Sequence, residues 1–147
     1  MKPIPSTDTE SAIALPLFTE RVSCGFPSPA ADYIDEAIDL VKSLIPHPSA
    51  TYVLRVSGDS MRDAAIVPES MLLVDSSLRA GDGDIVVARL SSGFTVKRLR
   101  LHPAPHLMPE NPAYSPIPLH ESDDVQILGV VTTVITLPKR SAPYKAK

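Results

Sequence analysis

Prolines constrain this chain more than any other residue type. The chain has 16 prolines in 147 residues, about twice the usual share of roughly 5%. All but Pro68 lie within residues 3–48, 103–118 and 138–143. Each proline fixes φ and removes a backbone donor, so long helices are excluded from these segments. The first third of the chain is therefore predicted to be an extended or turning arm.

One short helix is compatible with the prolines of this arm. Ser28 is a good N-cap, Pro29 suits the first helical position, and apolar residues follow in helical spacing as far as Val41. We expect a helix over Pro29–Leu40.

The pattern changes after Ser49 to short runs of β-branched residues separated by Gly, Asp, Ser and Pro, which indicates a β-rich body. Six strands are predicted, over Thr51–Val56, Met71–Asp75, Ile85–Leu90, Phe94–Leu99, His106–Met108 and Val125–Leu137. The short link at Ser91–Gly93 predicts an antiparallel hairpin. The last run is apolar on both faces, so one face is expected to meet the core and the other either further protein or a second copy. The fold class is mainly β, with an arm over 1–45, a compact body over 46–138 and a tail over 139–147.

Charge and cysteine content exclude several functional classes. With 14 Lys and Arg against 17 Asp and Glu the formal net charge is −3, so little direct DNA binding is expected. One cysteine forms neither an internal disulfide nor a cysteine-rich zinc cage, which favours the cytoplasm. The apolar core of a signal peptide and a run of about 18 apolar residues are both missing, so no membrane contact is expected.

A hydroxyl at a sharp turn is the first candidate for chemistry. Ser57-Gly58-Asp59-Ser60-Met61 follows a predicted strand and could present Ser60 as a nucleophile, although these residue types also suit ordinary turns. Arg62 stands where the hydrolase nucleophile elbow needs a second glycine. The four histidines lie in proline-rich surroundings, so neither a His-based triad nor a metal site is expected.

A base other than histidine would be lysine. Strand alternation puts Lys97 on one face with Thr95 and Leu99, where partial burial would lower its pKa toward that of a general base. The competing interpretation is an exposed Lys97 that forms a small basic patch with Arg98.

Within the arm, Cys24 and Gly25 stand directly before a proline-rich turn. Extended chain with a small residue before glycine threads easily into a protease groove, so this bond is a candidate substrate. Cys24 as a nucleophile, or as a merely free thiol, remains an alternative.

Taken together, these segments resemble the UmuD family, the mutagenesis branch of the LexA-type self-cleaving serine peptidases. The matching segments, in family order, are Cys24–Ala30, His47–Tyr52, Ser57–Met61, Gly83–Ala88 and Phe94–Leu99, joined by Asn111–Ile117. The resemblance runs from about Leu15 to Val134. It implies a LexA-like C-terminal peptidase domain.

The resemblance also implies roles for particular residues. Ser60 would be the nucleophile, Lys97 the general base, and the bond between Cys24 and Gly25 the substrate carried by the same chain. The backbone N–H of Ser60 is the candidate oxyanion donor. Lys97 is expected to be only partly buried at rest, with a pKa that falls when the arm docks. No cofactor is implied.

Three partners follow from the same resemblance. A RecA filament on single-stranded DNA would stimulate cleavage, and the trimmed chain Gly25–Lys147 would form a homodimer that joins a Y-family DNA polymerase for error-prone synthesis across lesions. The intact form would restrain that activity. The alternative is a non-cleaving module that regulates a polymerase by binding alone. A protease acting on other proteins is disfavoured, because no separate substrate site is apparent.

Overall fold

A computed structural model describes residues 13–18, 21–22, 24–25, 34–120 and 124–139. The chain divides into two units, Met1–Pro46 and His47–Lys147. The elements are β1 (Ala14–Phe18), β2 (Ile34–Asp39), α1 (Leu40–Leu44), β3 (Thr51–Arg55), β4 (Met71–Asp75), β5 (Ile85–Leu90), β6 (Gly93–Arg100), β7 (His106–Met108), β8 (Ile117–Pro118) and β9 (Gln126–Ile135). Short 3-10 turns occupy Pro48–Ala50 and Arg62–Ala64. The fold is mainly β, as predicted.

In the first unit, β1 and β2 form an antiparallel pair in which Ala14 lies opposite Asp39. The helix α1 follows at once, because the Asp39 side chain accepts a hydrogen bond from the Lys42 N–H at 3.1 Å and caps the first turn. The predicted helix over Pro29–Leu40 is thus wrong for Ile34–Asp39, which forms a strand. The strand β1, which is distant in the sequence, pairs with the backbone of this segment. Local apolar spacing cannot reveal such a partner. The start of that predicted helix, residues 29–33, lies outside the described residues.

The second unit contains a seven-stranded antiparallel sheet in the order β3-β4-β9-β5-β6-β7-β8. All six predicted strands are present, with ends that differ by at most two residues. Leu90 pairs with Gly93, which confirms the hairpin between β5 and β6. The strand β8 was not predicted. The predicted tail lies outside the described residues except for Lys139.

Two apolar clusters hold this sheet. One contains Met61, Ile66, Leu72, Val74 and Val87. The other contains Val86, Ala88, Leu99 and Leu107. Because successive side chains of β5 alternate between these clusters, apolar side chains pack on both faces of the sheet. Removing this surface from water is the main stabilising contribution to the body.

Candidate active site

Ser60 lies in the turn that follows β3. Gly58 in this turn has a φ of +82°, a conformation that glycine adopts without steric cost. On the other side of Ser60, the Met61 side chain is buried in the first apolar cluster. The turn is therefore anchored in the core directly beside the hydroxyl, while Ser60 itself stays half-buried.

Lys97 lies on β6, and its Nζ meets three oxygen acceptors. It donates to Ser60 Oγ at 2.8 Å, to Thr95 Oγ1 at 2.7 Å and to the Val96 carbonyl at 3.1 Å. An ammonium carries three protons, so these bonds satisfy it completely. The structure brings Ser60 and Lys97 together although 37 residues separate them in the chain.

The Lys97 side chain is more deeply buried than the partial burial expected from the sequence, since only 8% of the residue is exposed. Burial disfavours the charged form and lowers the pKa of Lys97 below its usual 10.5. The interpretation of an exposed basic patch is wrong. Neighbouring Arg98 instead pairs with Glu110 and donates to the Gly83 carbonyl at 2.7 Å.

Both side chains line a cleft of about 650 Å³ in the second unit. The lining residues are Tyr52, Leu54, Arg55, Val56, Ser57, Gly58, Ser60, Met61, Ile66, Val87, Phe94, Thr95, Val96, Lys97 and Leu128. Within the described chain this lining includes no aspartate or glutamate. No carboxylate in the wall therefore offsets the desolvation of Lys97, and the apolar surface suits an extended peptide with small or apolar side chains.

A second segment, residues 110–114, supports the Ser60 turn through hydrogen bonds. The Glu110 N–H donates to the Ser60 carbonyl, and the Asp63 N–H donates to the Glu110 carbonyl, both at 2.9 Å. Asn111 Nδ2 donates to the Asp59 carbonyl at 3.0 Å. The Tyr114 hydroxyl donates to Asp59 Oδ1 at 2.6 Å, a bond that raises the pKa of this tyrosine. No role for these contacts was predicted from the sequence, although residues 111–117 are part of the family resemblance.

The candidate scissile bond belongs to a different unit of the chain from the cleft. Cys24 and Gly25 belong to the first unit, whereas every residue that lines the cleft belongs to the second. Cys24 is an exposed free thiol. Among the described residues no group of three or more His, Cys, Asp or Glu could hold a metal ion. His47 bonds Asp75 at 2.6 Å, and neither residue is among those that line the cleft.

Comparison with known proteins identifies the family of this chain. Residues 16–132 match the Peptidase S24-like family. MucA of Escherichia coli is 50% identical over 122 residues, 81% of this chain and 82% of MucA. SamA of Salmonella typhimurium is 47% identical over 120 residues, 82% of this chain and 84% of SamA. The LexA repressor of Bordetella avium is 39% identical over 134 residues, 90% of this chain and 62% of that repressor.

The chain belongs to the Peptidase S24-like family, and in its structure a serine and a buried lysine line one cleft beside the β sheet. MucA and SamA place it in the UmuD branch of that family, as the motifs predicted. Membership supports a UmuD-like role in SOS mutagenesis and, in general terms, the activity of a self-cleaving serine peptidase. None of the helices in the described ranges is long and apolar enough to span a membrane.

Proposed function

We propose that the chain cuts its own Cys24–Gly25 bond with a dyad of Ser60 as nucleophile and Lys97 as general base. The observation that carries this proposal is the 2.8 Å hydrogen bond between Lys97 Nζ and Ser60 Oγ. Burial supports it, since a lysine with a lowered pKa releases its proton nearer to neutral pH.

The first step begins when Lys97 loses one proton to solvent. The neutral amine keeps two N–H donors, which suit Thr95 Oγ1 and the Val96 carbonyl, and its lone pair then faces Ser60 Oγ. Ser60 Oγ attacks the Cys24 carbonyl carbon, its proton moves to Nζ, and the C=O electron pair becomes an oxyanion. The Ser60 N–H is the proposed donor to that oxyanion.

Collapse of the oxyanion breaks the C–N bond to Gly25. The Lys97 ammonium returns a proton to the leaving amine, and Cys24 is left as an ester on Ser60. Water then adds to this ester, with Lys97 as base again, and releases a carboxylate at Cys24. Because the substrate is tethered, a high effective concentration replaces tight binding, and each chain reacts once.

We propose that this reaction has the regulation and the partners of the UmuD branch. A RecA filament on single-stranded DNA stimulates the cut, and the trimmed homodimer joins a Y-family DNA polymerase for error-prone translesion synthesis in the cytoplasm. The relatives MucA and SamA support this proposal by their similarity over four fifths of the chain. We propose that the two copies of the homodimer contact each other through the apolar strand β9.

The test is intact mass spectrometry of the purified chain held at pH 7 and at about pH 10 without RecA. High pH deprotonates Lys97 directly and replaces the activator. We expect the wild type to split into residues 1–24 and 25–147, faster at high pH, whereas Ser60→Ala and Lys97→Met are slower by at least about 10⁴-fold.

Three outcomes discriminate between the proposals. Cleavage of either variant at the wild-type rate would overturn the dyad. A wild type that stays whole both at high pH and with RecA filaments would favour the alternative, a module that regulates a polymerase by binding, without cleavage. A foreign protein cut as fast as the arm would point to a general protease.

A further inference from the structure

The peptide group between Asp59 and Ser60 is hydrogen-bonded through its carbonyl oxygen. Its carbonyl oxygen accepts hydrogen bonds from Asn111 Nδ2 at 3.0 Å and from the Arg62 N–H at 3.2 Å. A trans peptide is planar, so the N–H of Ser60 points away from that oxygen in the same plane. Among the described residues, no acceptor is found for this N–H. Fixing the carbonyl therefore also fixes the direction of an N–H that is available to a ligand.

The side chain that fixes the carbonyl is itself rigidly held. Asn111 is 4% exposed, and its Oδ1 accepts from the Ala113 N–H at 3.0 Å while its Nδ2 donates to Asp59. Because both ends of the amide are occupied, the group has one orientation in which both bonds form. The donor end contacts the peptide that carries the Ser60 N–H, and the acceptor end stays within the 110–114 segment.

We propose that Asn111 is a positioning residue that directs the Ser60 N–H at the oxyanion of the self-cleavage reaction. This inference rests on the function proposed above. Among the described residues Asn111 makes no hydrogen bond to Lys97, and it acts through the planarity of one peptide group.

Two physical effects combine here. The hydrogen bond to the Asp59 carbonyl polarises the peptide, which makes its N–H a better donor. It also holds the N–H in place before negative charge develops, and this preorganisation is the source of oxyanion stabilisation. Loss of one oxyanion-hole donor costs about 10²–10³ in rate. Misdirecting a donor that remains present should therefore cost about 10- to 100-fold.

A neighbouring bond supplies a matched control. Tyr114 donates to the side chain of Asp59 and not to its carbonyl. Tyr114→Phe therefore removes a hydrogen bond from the same turn and the same supporting segment, but leaves the Asp59–Ser60 peptide held. Asn111→Leu is uncharged and of similar size, so it removes the donor without placing a new charge near Lys97. Asn111→Ala is the second variant, in case leucine does not fit.

The experiment follows self-cleavage of the full chain by intact mass from pH 7 to 11, after native folding of each variant is checked by its NMR spectrum. We expect Asn111→Leu or Asn111→Ala to lower the rate at every pH by about 10- to 100-fold, with the midpoint of the pH profile unchanged. Tyr114→Phe should remain within about threefold of the wild type. The ¹⁵N chemical shift of the Ser60 amide should move in the Asn111 variants and not in Tyr114→Phe.

Different results separate this inference from the function on which it rests. A wild type that cleaves normally, beside Asn111 variants within threefold of it, overturns the inference alone. A displaced pH midpoint also overturns it, because Asn111 would then act through Lys97. An equal loss in Tyr114→Phe assigns the effect to general support of the turn. If the wild type cleaves neither at high pH nor with RecA filaments, the proposed function fails, and the catalytic role of Asn111 fails with it.

Discussion

Lys97 combines two opposing influences at one nitrogen. Its three oxygen acceptors favour the ammonium, whereas burial favours the neutral amine. The net direction is a lowered pKa, with desolvation as its cause. Motif resemblance singled out Ser60 and Lys97 in the sequence, and the structure joins their side chains by a hydrogen bond. Strand alternation also put Thr95 on the same face as Lys97, where it accepts a hydrogen bond from Nζ. The contact of Asn111 with Asp59 could not be predicted, because residues 59 and 111 share no local pattern that brings them together.

A first prediction concerns stability at alkaline pH. Between the lowered pKa of folded Lys97 and 10.5, the unfolded chain binds more protons than the folded chain, so the free energy of unfolding rises with pH in that window. In chains that also carry Ser60→Ala, which removes the proposed nucleophile, the melting temperature of the chain with Lys97 should rise relative to that of Lys97→Met as the pH increases toward 10.5. A difference that stays constant from pH 6 to 10.5 would show that Lys97 titrates normally.

A second prediction concerns Asp75, whose carboxylate accepts from the Ser77 N–H and hydroxyl and bonds His47. Hydrogen bonds from Ser77 and then His47 lower the pKa of Asp75 to about 2. Its stabilising contribution is complete above the unfolded value of 3.8 and is lost as pH falls toward 2. Asp75→Asn should therefore unfold at lower urea than the wild type at pH 7 but not at pH 2.

The exposed ion pair of Arg55 and Glu69, 3.5 Å apart, provides the control for that measurement. Glu69→Gln should change the free energy of unfolding by at most about 1 kcal/mol. An Asp75→Asn variant that behaves like Glu69→Gln at pH 7 would contradict the assignment.

At the scale of elements, local pattern was sufficient where strands were short and bounded by turn residues. The strands β4, β5 and β7 agree with the prediction to the residue. The pattern failed for Ile34–Asp39, because its partner β1 lies some twenty residues earlier, beyond any local window. It also missed β8, since two residues that include a proline carry no strand signal.

A third prediction concerns Gly129 in β9, the strand between β4 and β5. A Cβ at this position would lie 2.6 Å from Val74 Cγ1 and 3.1 Å from the Asp75 carbonyl oxygen. Gly129→Ala should therefore lower the free energy of unfolding by about 1–3 kcal/mol in urea titrations. Gly81→Ala is the control, because its Cβ would meet only Asp84 Oδ2 at 3.8 Å. Equal stability of the two variants would mean that β4 and β9 separate easily.

At the scale of the whole molecule, the core belongs to one part of the chain. Every buried residue of the two apolar clusters lies between Met61 and Leu107. The first unit contributes none of them within the described ranges. The proposed cut after Cys24 therefore removes no buried core residue that the structure describes.

A fourth prediction follows for the trimmed chain. A chain expressed from Gly25 should melt within about 3 °C of the uncut Ser60→Ala chain in calorimetry, since both chains contain every buried residue of the two apolar clusters. A fall of more than about 10 °C would show that residues 1–24 carry a large share of the stability.

Under the proposed mechanism, the burial of Lys97 also determines how long an uncut chain survives. Each pH unit below the pKa reduces the neutral fraction of a lysine about tenfold, so the spontaneous lifetime of the precursor would depend on how well water is excluded from one nitrogen. Side chains of the cleft wall such as Val87 would influence that lifetime without contacting the proposed nucleophile or base. Looser or tighter packing there would give related chains different lifetimes, with the same two residues in the proposed dyad.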